Sequence, residues 1–181
     1  LELADLAHLF AGAESRLDAP APVDDSELES LCLGISQAQI ELEKQLCDAG
    51  DESWSLAAGD AARNGLLQLL REHRSWWLPL NLLARHGLNR ASISDSSQAE
   101  SVNEFFGELL TAAEQWGGNH AEPSAPDAQL RHLFVLSSLN TRKLRALNKL
   151  QPSIYQDELA RLRPSDVFAA WKFARHFNRQ K

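Results

Sequence analysis

Few side chains in this 181-residue sequence stand in patterns that support catalysis or ligand binding. Most constellations that carry catalysis are absent. No G-x-S-x-G elbow exists, and neither cysteine has an evident histidine partner, which argues against a nucleophilic hydrolase. The six histidines are scattered, and none forms H-E-x-x-H. There is no C-x-x-C pair and no glycine-rich phosphate loop. Two acidic groups remain. Asp24-Asp25-Ser26-Glu27 follows a Pro-rich stretch and precedes an apolar run, so helix capping describes it better than a metal site. Glu72 closes an amphipathic run at Leu69-Leu70-Arg71-Glu72-His73-Arg74. By residue chemistry alone this is a solvated helix end, where Arg and His complement the helix dipole.

Two basic faces are the other feature with chemical potential. Arg131, Arg142, Arg145 and Lys149 fall within about 60° of one another at helical spacing, opposite Leu130, Leu133, Leu136, Leu144 and Leu147. Near the C-terminus Lys172, Arg175 and Arg179 oppose Val167, Ala170, Trp171, Ala174 and Phe177. The plain reading is two solvated faces on packed helices. The sharper readings are docking to an acidic surface or to lipid headgroups. Nucleic acid is not expected as a partner, because aromatics do not interleave with the basic side and the chain is net acidic.

These groups need helices to position them, and the composition provides for helices. Leu, Ala, Glu, Gln and Arg dominate, while Val, Ile, Thr and Tyr are scarce. The expected fold class is all-α, a helical bundle in a single domain over residues 1–181. Helices are predicted over 1–17, from Asp24 to Gly50, and from Leu56 to His73. Others follow at Leu80 to His86, Gln98 to Trp116, Asp127 to Leu150 and Tyr155 to Leu162, with a last one opened by Pro164-Ser165. In the second of these, Leu28, Leu31, Ile35, Ala38, Leu42 and Leu46 form a 3-4-3-4 seam, expected to pack inside the bundle. Cys32 and Cys47 on that helix lie roughly 22 Å apart along its axis, too far for a disulfide. Methionine is absent even at position 1, so the expectation is either a chain that begins inside a longer product or one whose methionines are not represented.

The net charge of −7 hides an asymmetry. From Ala128 onward eleven Lys and Arg stand against three acids, a balance of +8, which leaves −15 on the first 127 residues. Such a split marks an anion-binding end or two halves that attract each other. No apolar run approaches the roughly 20 residues of a membrane span, and because the sequence does not open with a basic stretch and an apolar core, a signal peptide is not expected. The expected location is the cytoplasm, with peripheral association to a membrane as a further possibility.

Trp77-Leu-Pro-Leu-Asn-Leu-Leu-Ala-Arg-His-Gly-Leu88 resembles a stretch of the squalene/phytoene synthase family. There a Leu-Pro, two Leu and a His-Gly-Leu/Val follow the second aspartate-rich helix. The helix Ala61 to Glu72 is similar to the family's helix ending Asn-Ile-Leu-Arg-Asp: Gln68 stands for the Asn, Arg71 matches the Arg, and Glu72 replaces the first Asp. Weaker likeness extends upstream to Ala13–Leu17 and Glu27–Cys32, and downstream to Asp166–Arg175. The resemblance covers most of the chain, as the middle and C-terminal part of the family's isoprenoid (terpenoid) synthase fold. It implies head-to-head condensation of isoprenyl diphosphates, with Mg²⁺ neutralising the diphosphate leaving group. It also implies catalytic roles for Arg71 and Glu72, with Glu72 as a metal ligand. The chain departs from the pattern: the position four residues after Glu72 is Trp76, and helices bearing the first aspartate motif would precede Leu1. The expectation is therefore a relative whose transferase activity is weakened or lost. The alternative is a non-catalytic helical assembly or membrane-associated factor that keeps only the fold.

Overall fold

The computed structural model of the chain describes residues 21–46, 58–71, 75–116, 131–150 and 164–178. Among these residues the architecture is all-α, and no strand is present. Six α-helices follow in order: α1 (Asp25–Leu46), α2 (Ala58–Arg71), α3 (Leu80–Arg85), α4 (Ala99–Gln115), α5 (Arg131–Leu150) and α6 (Pro164–Asn178). Two 3₁₀ turns, Ser92–Ser94 and Ser96–Gln98, connect α3 to α4. The expected helices over 1–17 and Tyr155–Leu162 lie outside the described residues, as does Cys47.

The acidic run before α1 is a cap. Asp24 Oδ1 accepts a hydrogen bond from the Glu27 amide at 3.0 Å, and Glu27 Oε2 accepts one from the Val23 amide at 2.7 Å. This reciprocal arrangement satisfies two amides at the start of the helix. Residues 22 and 23 also receive the Leu-Pro segment. The Leu80 amide donates to Pro22 O, and the Asn81 amide donates to Val23 O. The short α3 is thereby fastened to the start of α1. It ends as expected at Gly87, whose φ of 65° is the left-handed conformation that favours glycine.

The most extensive helix pairing is α1 on α2. The deepest line of α1 is Leu28, Cys32, Ser36 and Ile40, a row at intervals of four. The expected 3-4-3-4 seam is thus corrected: Leu31 and Ile35 are only partly buried, flanking that row. The reason sits on α2. A Cβ at Gly65 would lie 2.6 Å from the Cys32 carbonyl carbon and 2.8 Å from its Cα. The two backbones touch at this point, where glycine at position 65 leaves room for the Cys32 main chain. Ser36, Ala61 and Ala62 are buried on the same two helices.

The main core gathers Leu66, Leu67, Leu69 and Leu70 of α2 around Phe105, Phe106, Leu109 and Leu110 of α4. Trp77, Leu78, Leu82 and Leu83 close one end, and Leu144 and Leu147 of α5 complete it. Phe105 and Phe106 meet edge to face, with ring centroids 5.0 Å apart. On α5 the buried row is Leu133, Ser137, Asn140, Leu144 and Leu147. Leu136, expected inside, is exposed, and two polar residues take the central positions of the seam.

The last helix departs most from expectation. Among its described side chains Asp166 and Ala169 are buried, whereas Val167, Phe168 and Trp171 are exposed. Of the apolar face expected from the spacing, Val167, Trp171 and Ala174 are therefore open and Ala170 is partly buried, while the side chain of Phe177 lies outside the described side chains. Asp166 draws α6 onto α5 through an ion pair in which Arg142 Nε lies 3.8 Å from Asp166 Oδ1.

Candidate functional site

The polar positions on α2 and α5 converge on one cleft. It has a volume of about 560 Å³, within the range of small-molecule sites. Asp60 of α2 lines one side. Phe134, Ser137, Ser138, Thr141, Arg142, Arg145 and Ala146 of α5 line the other. A small adjoining cavity shares Thr141 and Arg145 and reaches Arg63 and the end of α4.

Arg63 organises this region. Although 3% exposed, its guanidinium is engaged on two sides. Nη2 donates to Asp60 Oδ1 at 2.7 Å, and Nη1 donates to the carbonyls of Trp116 (3.0 Å) and Ala113 (3.4 Å). The last carbonyls of a helix lack internal donors and carry the negative end of its dipole, so a buried cation there is stabilised twice. At the next residue of α2, Asn140 Nδ2 donates to Asn64 Oδ1 at 3.1 Å, within a buried pair. The Asn64–Asn140 bond ties α5 to α2, while Arg63 ties α2 to the end of α4.

The cleft's own chemistry is basic and hydroxylic. Arg145 is exposed and, among the described residues, has no ion pair. Among the described residues Arg142 is paired through the 3.8 Å contact to Asp166, longer than a hydrogen bond, so its donors are not consumed by that carboxylate. The buried Thr141 Oγ1 has no hydrogen-bond partner among the described residues. A guanidinium fork, further cationic donors and hydroxyls across one concave wall make up a donor set that suits a phosphate or carboxylate. Phe134 and Ala146 add an apolar flank.

A second polar cluster joins α3 to α4. His86 Nε2 lies 2.8 Å from Glu108 Oε2, and its Nδ1 lies 3.8 Å from Glu104. Arg85 pairs with the same Glu108. The His86 ring also meets Phe105 edge-on, with centroids 6.2 Å apart. The His-Gly-Leu part of the family-like stretch therefore acts here as a clasp between two helices. Asp25 is close to this cluster, and burial together with Glu108 and Asp24 raises its pKa against the opposing effect of Arg85.

Of the two site residues expected from the resemblance, Arg71 is the last residue of α2 and is exposed. Partial desolvation lowers its pKa from the ordinary arginine value. It is not among the residues lining the cleft. Asp60 lies eleven positions earlier on the same helix, roughly 16 Å along the axis. Glu72 lies outside the described residues. Among the described residues, no three His, Cys, Asp or Glu side chains gather as a metal site would require. The cleft's one carboxylate, Asp60, is tied to Arg63, so it does not fit the oxygen-rich shell that Mg²⁺ takes.

The expected basic face contributed Arg142 and Arg145 to this site. Asp60, Arg63, Ser137, Ser138 and Thr141 were not singled out. The available signal was Ser137 and Asn140 at core spacing within a leucine seam, a place where polar residues require partners.

The chain matches no protein-family model, no curated protein and no solved structure. The resemblance to squalene/phytoene synthases therefore rests on the quoted sequence stretches alone.

Proposed function

We propose that this chain is a helical binding protein that holds a phosphate-bearing ligand in the cleft between α2 and α5. The observation that carries the reading is the convergence of Arg142 and Arg145 with the hydroxyls of Ser137, Ser138 and Thr141 on one concave wall. Arg145 and the buried Thr141 hydroxyl gain partners when an oxyanion enters. Arg63 and the Asn64–Asn140 bond act indirectly, by holding the wall in place.

A second reading keeps the substrate class of the resemblance. An isoprenyl diphosphate joins an anionic head to an apolar tail, and Phe134 and Ala146 provide an apolar flank beside the basic wall. In this reading the relative retains diphosphate binding, while the condensation itself is weakened or lost. Any Mg²⁺ dependence would reside with Glu72 rather than with Asp60.

Calorimetric titration of inorganic diphosphate and of farnesyl diphosphate, each with and without Mg²⁺, separates these readings. Micromolar binding of both without Mg²⁺ supports the anion cleft. Much tighter binding of farnesyl diphosphate supports the isoprenoid version. Binding only with Mg²⁺ would move the site to the family's metal-dependent mode. No heat with either ligand would overturn both readings.

A further inference from the structure

The last helix carries a feature that the cleft does not use. Three large apolar side chains of α6 are open to solvent: Val167 at 60%, Phe168 at 64% and Trp171 at 53% of full exposure. Isolated exposed apolar residues are ordinary, but three on one and a half turns of a single helix form a patch. The Phe168 and Trp171 rings lie together, with centroids 5.8 Å apart. The Arg175 guanidinium sits over Trp171, 5.1 Å from the ring centroid. At helical spacing, Arg175 falls between Trp171 and Phe168, and the exposed Lys172 borders the same arc. Aromatic and cationic groups therefore interleave on this face, which corrects the sequence expectation that they would stand on opposite sides.

We propose that the exposed face of α6 is a docking surface for an anionic lipid bilayer. Three observations favour a bilayer over other occupants. First, the aromatic–cationic mixture is the chemistry of the membrane interface, where Trp and Phe rings enter the headgroup boundary and Lys and Arg reach lipid phosphates. Second, the surface is the convex side of one helix rather than a groove, and a fluid headgroup layer can conform to a convex ridge. Third, the charge is complementary: residues from Ala128 onward carry +8, whereas the first 127 carry −15. A negatively charged surface attracts the first group and repels the second, so it selects the orientation that presents α6. No described helix is long and apolar enough to cross a membrane, so the contact would lie in the interface plane.

On the helix itself the opposite side is committed. Asp166 and Ala169 are buried, and Asp166 pairs with Arg142 of α5. Docking through the outer face therefore needs no unfolding of α6 from the bundle.

Co-sedimentation with vesicles tests this proposal. One set is pure phosphatidylcholine; the other contains about 30% phosphatidylserine, comparable to a strongly anionic leaflet. The expected result is partition onto the anionic vesicles at low salt, little onto neutral ones, and loss of binding at about 0.5 M salt. Two double variants are compared with the wild type: Phe168→Ser with Trp171→Ser, and Lys172→Gln with Arg175→Gln. All four side chains are at the surface, and unchanged helicity by circular dichroism confirms that the variants fold. The charge variant should lose at least about tenfold in partition, given roughly 1 kcal/mol per basic residue near such a surface. The aromatic variant should lose a similar factor and the blue shift of tryptophan emission on binding. Absence of partition onto anionic vesicles, or partition unchanged in both variants, would overturn the proposal. So would equal binding to soluble polyglutamate, which would make the face a site for acidic protein.

Discussion

Gly65 and Cys32 show how single residues set this structure. The α1–α2 crossing brings backbone against backbone, so any side chain at position 65 meets the main chain of Cys32 rather than a movable side chain. Gly65→Ala is expected to destabilise the protein by about 3 kcal/mol in denaturant unfolding, at the upper end of ordinary overpacking. An effect near zero would mean that the helices separate at little cost. Cys32 is wholly buried at the same contact, and burial pushes its thiol far above the ordinary range. Since the thiolate is the reactive form, native Cys32 should resist alkylation by iodoacetamide and react rapidly once denaturant is added. Peptide mapping by mass spectrometry assigns the label to position 32. Neither property was legible in the sequence, because a glycine in a helix and a cysteine near a leucine seam both acquire meaning only from what faces them.

Between elements, the polar bonds decide register while the apolar rows supply adhesion. Arg63 joins the start of α2 to the end of α4, and Asn64 joins α2 to α5. Removing the Arg63 guanidinium takes the side-chain donor from the Trp116 carbonyl, leaves the Ala113 carbonyl with only the Trp116 amide among the described residues, and separates Asp60 from its counter-charge. Arg63→Met keeps much of the side-chain volume and should still cost about 3 kcal/mol of stability, through unsatisfied buried acceptors. It should also weaken ligand binding in the cleft by more than Arg71→Met does, since Arg71 is remote from the wall. Equal effects of the two variants would show that Arg63 does not hold the cleft.

Element boundaries were largely legible. The Asp24 cap, the Gly87 stop and the Pro164 start each carry local chemistry that the sequence states directly. Burial faces were less so. On α5 the spacing favoured Leu136, yet Ser137 and Asn140 occupy the seam, where Ser137 lines the cleft and Asn140 pairs with Asn64 of α2. On α6 the apolar residues read as core, yet among the described side chains Asp166 and Ala169 are buried while Val167 and Trp171 are exposed. Periodicity reports that a helix is amphipathic but does not say whether its apolar side is covered.

For the whole molecule, the charge asymmetry and the all-α architecture fit a bundle that presents basic chemistry towards its C-terminal helices. In the proposed reading, the cleft between α2 and α5 is the site for a phosphate-bearing ligand and the outer face of α6 is the site for an extended anionic surface. The family-like stretch from Trp77 to Leu88 contributes to the fold through the Pro22–Leu80 bonds and the His86–Glu108 clasp, on elements other than those lining the cleft. Arg71, carried over by resemblance, and Arg145, assigned by the cleft, thus make opposing predictions about where an anion binds.

The measurement that decides between them is equilibrium binding of inorganic diphosphate to the wild type, Arg145→Gln and Arg71→Gln in parallel, without Mg²⁺. The expected result is a loss of about tenfold or more for Arg145→Gln, the scale of one charge-assisted hydrogen-bonding group, and wild-type affinity for Arg71→Gln. Unchanged binding in Arg145→Gln with a loss in Arg71→Gln would contradict the cleft and return the site to the end of α2.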